Sequence, residues 1–314
     1  MVLFSSAAAE VSDEKSKGRF SFYLENDLFA GTDRDYTSGM KLTWISPSEL
    51  PENRPGFQNV VSISFGQNIY TPADITRNDL IPDDRPYAGI TYIGFGYHSK
   101  RKNSMASYEL DIGILGPHSY AEDFQKVIHK VFGGDDPLGW NNQLKNELVL
   151  DFIFDQKWKM PKSEISGRLE YDSVVHLGGS LGNVKTAAST GVEFRTGWNI
   201  PDDFGTFLIH PGGESTTFSD GQGSSSFQEQ LGFYIFASFE GHAVLRNIFL
   251  DGNTFKASHS VEKNMLVADI VAGVALMAGR FKLSYAYVYR TKQFKTQKRN
   301  QIFGAINVSF SYGL

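Results

Sequence analysis

From Arg19 onward the chain alternates apolar and polar residues with a period of two, over and over, and this constrains the fold more than anything else in it. In 19–27, Phe20, Phe22 and Leu24 share one face, while Ser21, Tyr23, Glu25 and Asp27 share the other. Met40, Leu42 and Trp44 oppose Thr37, Gly39, Lys41 and Thr43; Val61, Ile63 and Phe65 oppose Ser62, Ser64 and Gly66. The same holds for 108–114, 148–155 and 281–289. Weaker alternation marks 87–97, 168–181, 186–197, 230–244, 263–277 and 302–314, which brings the count to about twelve strands. Soluble sandwiches and lipocalin-like barrels alternate too. Two properties favour a barrel that crosses a membrane. Many of these runs reach the ~10 residues that a tilted strand needs to cross a bilayer. Their polar faces carry Glu25, Lys41, Glu109, Asp111 and Asp151, charges that a small soluble core would not tolerate. An even strand number fits a bacterial single-chain barrel. The expected fold is all-β: a twelve-stranded antiparallel transmembrane β-barrel with a short helix in an outer loop.

Average composition conceals this. Mean hydropathy is −0.27, a value that suggests a soluble protein. The longest nearly apolar stretch, Ile270–Gly279, is too short for a membrane helix. A barrel averages a lipid-facing and a lumen-facing set, so neutral hydropathy does not exclude it. The net charge of −5 gives no nucleic-acid footprint, and the absence of cysteine removes disulfides, thiolate metal sites and cysteine nucleophiles. No composition break divides the chain, so 19–314 reads as a single barrel domain. Ala7-Ala8-Ala9 has the small-residue pattern of a signal-peptidase site, so 1–9 read as the remnant of a cleaved signal peptide and 10–18 as a flexible leader. At the other end Ile306, Val308, Phe310, Tyr312 and Leu314 alternate to the last residue. Such a strand resembles the signal by which outer-membrane barrels are handed to the barrel-assembly machinery.

With both termini on the inner side, the outer connections are 28–35, 70–86, 117–142, 182–185, 245–262 and 290–301. The residues that look chemical lie there. Asn26-Asp27 closes the first strand and Asp35-Tyr36-Thr37-Ser38-Gly39 opens the second. By alternation Asp27 and Thr37 face the lumen and Asn26 faces lipid. In Ser119–Phe132 the period changes: Phe124, Val127, Ile128 and Val131 mark one side of a short helix, with Ser119 as N-cap, Glu122 completing a capping box and Gly133-Gly134 ending it. Gln125 and His129, four apart, project from one face. The connection 198–230 is long for an inner turn, so it either enters the lumen or disturbs the strand count.

These stretches together resemble the outer-membrane lipid A 3′-O-deacylases (LpxR type). The matching positions are Asn26-Asp27, Asp35-Tyr36-Thr37 with Gly39, Gln67–Pro72, Asp111–Pro117, Gln125-x-x-x-His129, and Gly133–Trp140 with Gln143. Weaker similarity continues through Leu250–Phe255, Thr291 and Phe294. The resemblance implies a calcium-dependent, phospholipase-like ester hydrolase of the Gram-negative outer membrane, a monomer acting on lipid A or lipopolysaccharide from the outer-leaflet side. It places the calcium and oxyanion region on Asn26, Asp27 and Thr37, the general base on His129, and a water-holding role on Gln125. Arg77 stands where the family has a lysine, and would clamp a substrate phosphate. Asp135 stands where it has a glutamate, as a further metal ligand shorter by one methylene. Asn78 replaces an arginine of the family.

The residue chemistry is consistent with that implication. A neutral imidazole can deprotonate water near pH 7, and a hard cation held by Asp and Asn oxygens can stabilise the oxyanion. The one Gly-x-Ser-x-Gly spacing, Gly178-Gly179-Ser180-Leu181-Gly182, falls at the end of the alternating segment 168–181 with no helical pattern after it, and the Gly/Ser-rich run Gly221–Ser225 reads Gly-Gln-Gly-Ser-Ser; neither is a nucleophile elbow, which favours a water nucleophile over a serine. Taken singly, Asn-Asp at a strand end is more often a turn signal, and one His on a helix is more often packed or solvated. The alternatives are a porin-like or structural barrel, and a barrel phospholipase acting on glycerophospholipids.

Overall fold

The computed structural model describes residues 17–27, 35–47, 56–132, 134–167, 169–206 and 231–313. The readings of 1–9 and of most of the leader, like Leu314 and Gly133, lie outside them. Within them the alternation becomes thirteen strands: β1 Lys17–Asn26, β2 Asp35–Ile45, β3 Gln58–Thr71, β4 Ala88–Arg101, β5 Ser104–Leu115, β6 Glu147–Lys159, β7 Ser163–Ser166, β8 Leu169–Gly182, β9 Lys185–Trp198, β10 Leu231–Asn247, β11 Leu266–Ala278, β12 Phe281–Arg290 and β13 Gln301–Gly313. Apart from β6 and β7, neighbours in sequence pair antiparallel, and the pairings β1–β13 and β6–β8 close the sheet. β7 is a four-residue ribbon beside the start of β8, so the wall itself is a twelve-stranded barrel, as the alternation predicts. Among the described residues no helix is long and apolar enough to cross a membrane. The strands do the crossing: ten residues tilted by ~45° span roughly 23 Å.

Burial runs opposite to that of a soluble protein. Leu42, Phe65, Phe95, Ile112, Leu150 and Phe239 are exposed on the outer face, whereas Lys41, Lys157 and Arg195 are among the most buried side chains. The lumen satisfies its charges in pairs, because an unpaired ion out of water costs several kcal/mol. Lys41 meets Glu109 at 2.9 Å, with Ser64 donating to the same carboxylate at 3.0 Å. Arg290 grips Asp269 through two bonds of 2.8 and 2.7 Å. Arg195 holds Asp172 at 2.7 and 2.6 Å and reaches Asp203 as well.

The two ends of the barrel differ. At the turn end lie Lys17, Gly313 and the two-residue turns 102–103 and 279–280. At the loop end lie the long connections, with helix α1 (Ala121–Phe132) between β5 and β6 and the short helix α2 (Ile248–Asp251) after β10. The long connection after β9 does not disturb the strand count. Its first part turns into the lumen: Phe204 is fully buried, Asp203 accepts from Lys282 at 2.7 Å, and Thr206 N donates to Glu193. The rest, 207–230, lies outside the described residues.

Candidate active site on the outer wall of the barrel

α1 docks on the outside of the wall, against the loop-end tips of β3 and β4. Ile69, Ile75, Tyr87, Ala121 and Trp140 form a buried apolar cluster, with Phe124 packed on it. Gln67 Nε2 donates to the Ser119 carbonyl at 2.8 Å, and Thr91 Oγ1 donates to the same oxygen at 2.8 Å, so two wall side chains tie down the approach to the helix. The helix starts later than the capping pattern suggests. Tyr120, with φ of 57°, provides the carbonyl that accepts from Phe124 N at 3.1 Å, so it takes the N-cap position expected of Ser119. Ser119 sits one residue earlier, its Oγ accepting from Ala121 N at 3.4 Å. Acidic Glu122 and Asp123 in the first turn and Lys130 in the last suit the helix dipole.

Close docking depends on Gly89: a Cβ there would lie 2.0 Å from that of Ala121. Gly89→Val is therefore expected to leave the barrel closed and to lift α1 away. Amide exchange across 119–132 would quicken while the heat-induced gel-mobility shift of the barrel stays unchanged.

His129 and Gln125 are brought together, both buried on the wall-facing side of α1. His129 Nδ1 lies 2.7 Å from the Asp135 carbonyl oxygen, which can only accept, so Nδ1 carries the proton and Nε2 keeps the lone pair. Gln125 Nε2 is 3.5 Å from that Nε2. The amide of Gln125 is oriented by Trp140, whose Nε1 donates to Gln125 Oε1 at 2.8 Å. An indole only donates, so the amide oxygen must face it and the NH2 must face the histidine.

Asn26, Asp27 and Thr37 lie on the adjoining strand tips. Asn26 pairs with Ser38, Ser38 with Ile69, and Ile69 with Gly89. Directly opposed residues share a face, so Asn26 stands on the same outer face that carries α1, about 10 Å along the wall from Ile69. The lipid-side parity of Asn26 thus puts it on the docking side of the helix. Thr37 departs from the alternation. The register of β2 and β3 shifts between Tyr36 and Ser38, which makes Thr37 the extra residue of a β-bulge, and its Oγ1 lies 2.7 Å from that of Thr71. Thr71 follows Ile69 by two on the outer face, so Thr37 is turned outward and the lumen-facing expectation for it is corrected. Asp27 is fully buried immediately beyond β1. Behind the bulge, on the lumen side, Asn68 Nδ2 donates to Tyr36 Oη at 3.0 Å, and Tyr36 packs at 5.1 Å on Tyr70 and at 5.3 Å on Phe303. A Cβ on Gly39 would fall 1.7 Å from that hydroxyl, so only glycine admits this arrangement.

Two expected residues stand apart. Arg77 is exposed on the β3–β4 loop, with its backbone carbonyl against Gly139. Asp135 turns its carbonyl to His129, while its side chain is exposed. The residues that the sequence reading left without a role are Trp140, which orients Gln125, and Gln67 and Thr91, which anchor the helix. A separate group able to hold a metal lies in the lumen, where ligand atoms of Glu240, His242 and Asp269 fall within 4.8 Å of one another. Asp269 is already neutralised there by Arg290, and His242 Nε2 lies 3.3 Å from it.

A closed barrel with apolar residues outside, paired charges inside and a histidine-bearing helix on its outer wall is the architecture of an outer-membrane protein. Residues 1–312 match the family described as "Outer membrane protein LpxR", and the chain belongs to that family. Among solved structures it resembles LpxR from Salmonella typhimurium, with a TM-score of 0.75 and 19% identity over 93% of this chain and 99% of that one. The Pseudomonas putida toluene transporter TodX matches with a TM-score of 0.33 and 8% identity, over 99% of this chain and 94% of that one. No curated protein matches the sequence.

Proposed function

We propose that this barrel is a calcium-dependent outer-membrane esterase that removes the 3′-linked acyloxyacyl chain of lipid A. The observation that supports it best is the pairing of His129, whose tautomer is fixed by the Asp135 carbonyl, with Gln125, whose amide is fixed by Trp140. The pair sits on a helix docked beside Asn26 on the lipid-facing side of the wall. A base with its lone pair on a defined nitrogen suits proton abstraction from water.

In this reading His129 Nε2 takes a proton from the water that attacks the ester carbonyl carbon, and the amide of Gln125 holds that water. The ester C–O bond to the sugar then breaks, and the imidazolium returns the proton to the sugar oxygen, leaving a free fatty acid and a hydroxyl. The donor set of Asn26, Asp27 and Thr37 is all oxygen, with one carboxylate fully buried, and fits a hard cation. Calcium held there would supply positive charge toward the developing oxyanion. Asp135 contributes through its carbonyl, by orienting His129. Arg77, exposed on the neighbouring loop and in no ion pair among the described residues, suits a substrate phosphate. Among the described residues the lumen is crossed by buried ion pairs, which does not favour a porin-like role.

The test is the mass spectrum of lipid A offered to the purified barrel with calcium and with chelator. Loss of the 3′-acyloxyacyl mass only with calcium supports the reading; unchanged lipid A with calcium present refutes it. Glycerophospholipid offered in parallel identifies a phospholipase. Trp140→Phe keeps most of the packing and removes the bond to Gln125. Because a hydrogen bond of this kind is worth about 1 kcal/mol, kcat is expected to fall roughly five- to tenfold with little change in KM.

A further inference from the structure

The loop between β12 and β13 carries Lys292, Lys295, Lys298 and Arg299, all exposed and none in an ion pair among the described residues. In a chain of net charge −5 this is a local reversal of sign. The acidic neighbour Glu262 accepts from Lys295 N at 2.8 Å through its carbonyl, and is in no salt bridge among the described residues. The loop is firmly built. Phe294 is buried beneath the guanidinium of Arg85, Arg85 donates to Gln293 at 2.7 Å, and Asn264 Nδ2 donates to the Lys292 carbonyl at 2.7 Å. Four cations on one short loop, none in a salt bridge among the described residues, favour an anion beside them.

Directly beneath the loop the outer wall is hollowed. A groove of about 820 Å³ runs over β9, β10 and β11, with Lys292 at its head and Leu177 and Leu266 among its walls. Gly241 pairs with Thr190 on one side and Ala268 on the other, so small residues lie side by side on the floor. A Cβ on Gly241 would meet nothing within 4 Å. The groove faces the membrane, on the opposite side of the twelve-stranded wall from α1.

We propose that this face binds a second lipid A molecule, with one acyl chain in the groove and the headgroup phosphates on the four loop cations. This rests on the reading that the loop end lies in the outer leaflet. An apolar slot headed by cations matches an anionic amphiphile. Four cations suit a headgroup with two phosphates better than the single phosphate of a glycerophospholipid.

The test uses the full barrel carrying His129→Ala, so that bound lipid is not consumed, titrated with lipid A or with phosphatidylglycerol in detergent and read by native mass spectrometry. Two lipid A molecules per barrel are expected. Gly241→Leu, whose Cβ enters open space and whose side chain occupies the groove, and the combined change of Lys292, Lys295, Lys298 and Arg299 to Gln should each weaken only the second by tenfold or more. Unchanged second-site affinity in both variants, or equal binding of phosphatidylglycerol, overturns the proposal. Deacylation by the protein with His129 intact is measured separately. If that fails while Gly241→Leu still removes one lipid A, the active-site reading falls and this face stands.

Discussion

Under the proposed function, His129→Ala is expected to lower lipid A deacylation by about 10³-fold, mostly in kcat, with the barrel folded and substrate still bound. The expectation follows from the two nitrogens of the ring. Nδ1 is committed to the Asp135 carbonyl at 2.7 Å, which leaves the lone pair on Nε2, on the side of Gln125. Alanine removes the base and leaves Asn26, Asp27 and Thr37 in place, so the calcium dependence of the residual activity should persist. Steady-state kinetics on lipid A micelles, with a heat-modifiability gel to check folding, decide it. Activity within tenfold of the unaltered enzyme would mean that another group takes the proton.

Arg195→Met is expected to be the most destabilising single change in the lumen. The Arg195 side chain is fully buried, as are those of Asp172 and Asp203, which it holds together. Removing the cation leaves two carboxylates out of water, and breaking a buried pair costs about 3–5 kcal/mol. The effect should depend on pH. Burial pushes the Asp203 carboxyl up, but Lys282 and Arg195 outweigh it and hold the group well below the usual carboxylate range. A carboxyl depressed in the folded state contributes stability that is present above its unfolded pKa and lost only as pH falls through the folded one. The penalty of the substitution should therefore be full at pH 7 and shrink in strong acid, where Asp203 can take a proton. Urea unfolding in micelles at pH 7 and pH 3 measures both; equal penalties at the two values would contradict the account.

Much of the fold was legible because a strand's alternation is local. Twelve strands, the two classes of connection and a helix within 119–132 can all be read from residues within ten of one another, though the capping pattern puts its start too early. The lumen could not be read this way. Lys41 finds Glu109 68 positions away, and nothing near either residue announces the other. The site was half legible for the same reason. Gln125 and His129 share a helix face, so their spacing brings them together. Trp140 reaches Gln125 from beyond the helix, and Asp135 acts through a backbone atom that its side chain does not advertise. Thr37 shows the limit of parity: one inserted residue turned it to the other face, and alternation contains no mark of a bulge until the partner strand is known. The fate of the connection after β9 likewise depended on Asp203 finding Arg195 and Lys282.

The plugged interior also sets the traffic of the molecule. Among the described residues, ion pairs cross the bore and 200–206 fold into its turn end. The helix and Asn26 are on the outer flank, so under the proposed function a lipid would reach them by sliding sideways through the leaflet, and a released chain would leave the same way. Turnover of such an enzyme would then depend on two-dimensional supply: a stiffer, more tightly bridged leaflet would slow it without altering any bond at its active site.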